Sequence, residues 1–158
     1  MRLALVRFFG LCFAVLLAIG SPILRADEAK SAPKPDAERI LGTWILESSD
    51  RGETIFLNDG QSAEATFEES KFSFVVLKDG GKIFEFSGDY YLDDKQTPKT
   101  CDITLVGDGG SNTIYAIYDF QGDKLRFRIR DNNGPRPADF ESQAADCQIL
   151  TYRRKETQ

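Results

Sequence analysis

"KLRFRIR", Lys124–Arg130, decides the fold: Leu125, Phe127 and Ile129 alternate with Arg126, Arg128 and Arg130. Side chains of a β-strand point to opposite faces in turn, so this order gives one water-shedding face and one cationic face. A helix would scatter the same residues around its axis. The preceding "QGDK", Gln121–Lys124, is a tight-turn signal that folds the strand back on Thr113–Phe120. A hairpin with one apolar face needs something to cover that face.

Working outward, the same period of two recurs in eight runs. They are Thr43–Ser49, Glu64–Glu69, Lys71–Leu77, Lys82–Leu92, Cys101–Val106, Thr113–Phe120, Lys124–Arg130 and Cys147–Arg154. In the first, Trp44, Leu46 and Ser48 share a face; in the third, Phe72, Phe74 and Val76 do. "KDGGK" joins the third and fourth runs as a hairpin whose adjacent glycines tolerate positive φ, and Gly88 marks a bulge or bend. Thr54–Leu57 is a candidate short extra strand, and Glu38–Leu41 a single helical turn. No stretch carries the helical period of 3.6 that would supply covering helices. The expected fold is therefore all-β: an eight-stranded antiparallel up-and-down barrel, which buries the apolar faces together and removes exposed edges. A two-sheet sandwich is the alternative.

The chain has 158 residues, room for one such domain. Arg2 and Arg7 followed by the apolar run Phe8–Gly20 read as a signal peptide over residues 1–26, with a cut before Asp27. Thirteen apolar residues fall short of the roughly 20 that span a bilayer, so no stable membrane anchor is expected after cleavage. Cys12 lies too early for a lipid attachment site. Residues 27–39 form a charged, Pro-containing flexible lead-in, and 40–158 the barrel. The expected location is periplasmic or extracellular.

Loss of Arg2, Arg7 and Arg25 with that segment lowers the formal charge from −5 to −8. So acidic a surface repels nucleic acid and anionic membranes. The chain has no His, which removes imidazole base catalysis and a principal zinc ligand. With no nucleophile elbow, phosphate-cradling glycine loop or metal-ligand cluster, an enzyme is not expected, nor a cofactor or metal.

Four segments carry a family resemblance: Gly42-Thr43-Trp44, Pro98-Lys99-Thr100-x-Asp102-Ile103, Ala116-Ile117-Tyr118 with Gly122-Asp123-x-Leu125, and Arg136-Pro137-x-Asp139-Phe140. With Tyr152-Arg153-Arg154 at the end of the last run, they resemble the lipocalin-like, calycin-type domains. They resemble more closely a lipocalin-like family of planctomycete bacteria to which no activity is attached. The resemblance implies that Trp44 closes one end of the barrel and that Arg153 or Arg154 packs over the indole. It also implies an exported setting. Cys101 departs from the aliphatic residue expected at its position.

The candidate barrel lining is Phe67, Phe72, Phe74, Phe84, Phe86, Tyr118 and Phe127, inward rings that either fill the interior or line a site for a small apolar ligand. The expected function is an exported binding protein for such a molecule. The alternative is a protein–protein interaction or inhibitor module using the loop 131–146, long for a hairpin and placed to overhang a barrel mouth. Within it, Phe140 is expected to tuck into the core and Arg136 to pair with Asp139. Asp93, Asp94, Asp102 and Asp108 lack calcium-loop spacing and read as turn residues. Glu85 and Asp89 have no fixed separation to make a carboxylate pair. Cys101 and Cys147 begin strands at opposite ends of the tube, so no bond between them is expected.

Overall fold

The computed structural model describes residues 34–51, 57, 59–107, 110–130, 134–142 and 144–156. The expected signal peptide, the lead-in up to residue 33, most of the candidate strand at Thr54–Leu57, Asp108 and the loop tip 131–133 lie outside these residues. Pro33–Gln158 forms one compact unit. It opens with a four-residue helix, α1 (Asp36–Arg39), two residues earlier than the turn expected from sequence.

Eight strands follow: β1 (Gly42–Ser49), β2 (Gln61–Glu68), β3 (Lys71–Lys78), β4 (Gly81–Asp93), β5 (Thr100–Gly107), β6 (Gly110–Gln121), β7 (Lys124–Arg130) and β8 (Cys147–Arg154). Each pairs antiparallel with the next, and β8 closes on β1. The fold is a closed up-and-down barrel. β2, β4 and β6 run longer than their alternation indicated, because polar rim residues carry ladder bonds without apolar side chains.

The inner face is built from rings and small residues in turn. Phe67 packs against Phe72 at 5.1 Å, Tyr90 at 5.0 Å and Phe127 at 5.9 Å between ring centroids. Ala63, Ala65 and Ala116 are buried among them, which lets rings from across the tube meet in its centre. Burying each ring contributes about 2 kcal/mol.

Three local expectations change. In "KDGGK" the positive φ angles belong to Asp79 (51°) and Gly80 (77°), and Gly81 is the first residue of β4. Two consecutive left-handed residues make the tight turn whose twist matches its strands. Gly88 is not at a bulge: the register break lies between Val76 and Leu77, opposite Lys82 and Phe84. Gly88 instead allows close approach, since a Cβ there would run into the Thr104 carbonyl of β5. Ser48 leaves the inner face, because β1 shifts register against β8 between Leu46 and Ser48.

Candidate functional site

The closed end is built on Trp44, which is buried against Phe120 at 6.0 Å. Its Nε1–H donates to the Ile40 carbonyl at 2.7 Å. The Arg154 guanidinium lies 4.2 Å from the indole centroid and donates to the carbonyls of Leu41 (2.6 Å) and Arg39. Arg153 does not take this place; it points to Glu47 at 3.7 Å. Strand alternation decides between them, since Arg154 pairs across from Trp44 in the β1–β8 ladder. Gly42 has φ 107°, and a Cβ on it would press Arg154 Nη1 at 3.1 Å. Glycine before the Trp thus makes room for the arginine.

Beneath Trp44 lies a polar cluster that sequence reasoning did not find. Asp36, read as part of a flexible lead-in, is buried and accepts from Lys99 Nζ at 2.6 Å and from the Tyr118 hydroxyl at 3.0 Å. Arg39 adds a contact at 3.7 Å and also covers the Phe120 ring at 4.0 Å. Burial, reinforced by the Asp36 charge, pushes the Tyr118 phenol far above its ordinary range. Nothing in the local sequence marks Asp36, because its partners come from 63 and 82 residues away.

Above this floor the barrel holds an apolar cavity of about 60 Å³, lined by Ala65, Phe67, Phe72, Phe74, Phe86, Ile103, Ile114, Phe127, Ile129, Leu150 and Tyr152. Five of the seven candidate rings, Phe67, Phe72, Phe74, Phe86 and Phe127, line it. Tyr118 does not, being drawn into the Asp36 cluster. Phe84 does not either: it is half exposed, at 50 %, and touches Phe86 at 5.7 Å between centroids. It lies where β4 leaves its neighbour, for β4 pairs with β5 only from Gly88 onward while Gly81–Ser87 pair with β3 alone. Ile83 within that stretch and Val106 of β5 are also exposed. Burial alone raises the Tyr152 phenol, with no hydrogen bond contributing.

The loop after β7 departs most from expectation. Its described residues do not overhang the mouth but lie on the outer wall. Arg136 pairs with Asp102 of β5 at 2.5 Å, not with Asp139, and donates to the Ala116 carbonyl at 2.6 Å. Phe140 stays outside the core, stacked under the Arg126 guanidinium at 4.6 Å. Arg128, expected on a solvated face, is buried and donates to the Ser142 carbonyl. Arg130 holds Asp146 and the Pro135 carbonyl. The outward arginines of β7 are thus the anchors of the loop that follows them.

Asp93, Glu85 and Asp89 have simple partners. Asp93 accepts from the Lys95 backbone N–H and from Gln96, both at 3.0 Å, and these bonds hold its carboxyl below the usual range. Glu85 pairs with Lys82 and Asp89 with Lys71, each at 2.5 Å. Cys101 and Cys147 are both free thiols and both buried. Burial pushes the Cys101 thiol far above its ordinary value. Among the described residues no group of His, Cys, Asp and Glu is placed to hold a metal ion, and no helix is long and apolar enough to cross a membrane.

No family model matches the chain, and no curated protein is similar to it. Among solved structures it is similar to the Echinococcus granulosus fatty-acid-binding protein 1, at 12% identity and a TM-score of 0.36, over 74% of this chain and 98% of that one. The overlap is loose, and the barrel rests on its own strand pairing.

Proposed function

We propose that this chain is an exported binding protein, not an enzyme, whose barrel takes up a small apolar molecule. The observation that carries the reading is the cavity of about 60 Å³, lined among the described residues by eleven uncharged side chains. Protein interiors are close-packed, with few voids larger than a water, and an apolar void stays dry and accepts hydrocarbon. A cavity of about 150 Å³ takes up benzene, so a body of that size enters only when the lining rings give way. The ligand is accordingly small. Export is supported by Arg2, Arg7 and the apolar run Phe8–Gly20, and membership of the planctomycete lipocalin-like family by the four sequence segments. Binding rather than catalysis is supported by a chain without His. The loop 131–146 has less support as a working surface, since its described residues hold to the barrel's own wall.

The test is an NMR titration of the protein with benzene, followed on the methyl groups of Ile103, Ile114, Ile129 and Leu150. Saturable shifts confined to these methyls are expected. Shifts absent at saturating benzene would remove the barrel interior as a binding site.

A further inference from the structure

Gln148 lies on the inner face of β8, opposite Ile129 and two residues from Leu150, both of which line the cavity. It is completely buried. Its Oε1 accepts from the Ser49 hydroxyl at 3.3 Å, while its Nε2 has no hydrogen-bond partner among the described residues. A buried donor left unpaired costs stability that an apolar side chain of equal length avoids, so such a group calls for an explanation.

The second observation is charge. None of the described residues lining the cavity is ionic. The arginines of β7 face outward onto Asp119, the loop after β7 and Asp146. At the rim Lys78 is exposed and Lys82 is paired with Glu85. A ligand carboxylate drawn into this interior would be buried with no cation to meet it, which is the most costly arrangement for a charge.

We infer that the barrel selects an uncharged apolar molecule bearing one hydrogen-bond acceptor, such as the carbonyl oxygen of a ketone, ester or amide. The Gln148 Nε2–H is the donor that reads it. The apolar body packs between Phe74, Phe86 and Leu150, and its acceptor reaches toward Gln148 past Ile129 and Leu150, the lining residues that neighbour it on β7 and β8. This rests on the barrel-binding reading above and narrows it to a ligand class. A site built to hydrogen-bond an acceptor rejects the analogue lacking it, because the protein group is then left unpaired.

The experiment compares three probes of equal chain length: 2-hexanone, n-hexane and hexanoate. The expected order is 2-hexanone over n-hexane by about tenfold, as one net hydrogen bond gives, with hexanoate weakest. In the unaltered protein the Gln148 side-chain amide resonance should move with 2-hexanone and stay with n-hexane. In Gln148→Met, checked for a native spectrum, the ratio of the ketone and alkane constants should fall to about one. Equal binding of ketone and alkane to the unaltered protein, or tightest binding of hexanoate, overturns the acceptor reading while leaving barrel binding in place. Binding of none of the three removes barrel binding, and this inference with it.

Discussion

Arg154 makes three kinds of contact at once: it lies over the Trp44 ring, donates to two carbonyls of the incoming chain and fills the space left by Gly42. Lysine offers one compact charge and no planar fork. Arg154→Lys is expected to lower stability by about 1–2 kcal/mol in urea unfolding, and Arg153→Lys to change it within about 0.5 kcal/mol. Equal effects of the two would refute Arg154 as the indole's partner. Gln148 behaves in the opposite sense. Because its Nε2 is buried without a partner, Gln148→Met is expected to raise stability by about 1 kcal/mol. A loss of stability instead would mean that the amide is satisfied in solution. At this scale the sequence marked Trp44 and left two arginines open. Gln148 was invisible, since a single polar residue on an apolar face looks like any surface position until its neighbours are known.

At the scale of elements, β4 and β5 depend on one glycine. A methyl group at residue 88 would collide with the Thr104 carbonyl, so Gly88→Ala is expected to cost about 3 kcal/mol. Gly80→Ala meets no neighbour and strains only its φ of 77°, at about 1 kcal/mol. Similar losses for both would show that close strand approach is not the reason for Gly88. The loop after β7 hangs on Arg136, Arg128 and Arg130. Arg136→Gln is expected to speed hydrogen exchange of residues 134–142 several-fold while leaving the strand amides of β7 protected. Bonds from Ser142 and Glu141 hold the Asp139 carboxyl below its ordinary range, and Arg130 does the same for Asp146. Groups with depressed values lend their support above the unfolded value and lose it as pH falls through the folded one. Protection of the loop amides, relative to the intrinsic exchange rate at each pH, should therefore fall below about pH 4, the ordinary carboxylate range. The sequence showed a long, turn-rich loop but not its path, because its partners Asp102 and Ala116 belong to other strands.

For the whole molecule, the titrating groups that matter are buried and neutral. Tyr90, Tyr118, Tyr152 and Cys101 are all raised, with burial the largest cause in each. The ordinary values are 10.0 for the phenols and 9.0 for the thiol. Above these values the unfolded chain releases protons that the folded chain keeps. The contribution of these groups to stability is thus full below pH 9 and declines as pH rises through 9 and then 10. Urea unfolding at successive pH values should show this decline, with its first part absent in Cys101→Ala. A flat profile to pH 11 would mean that these groups are exposed.

Period-two alternation, tight turns and the lack of any helical period were enough, residue by residue, to specify eight antiparallel strands and to favour a barrel over a sandwich. These are local signals, and each strand carries its own copy. That β8 closes on β1 came from the tertiary structure. What the tertiary structure alone decided is where separate strands bring their side chains together: Asp36 under Tyr118, Arg136 on Asp102, Phe84 at the gap beside β5, and Gln148 on the inner face of β8 opposite Ile129. Such meetings join residues tens of positions apart, and they depend on register and barrel closure, which no single segment encodes.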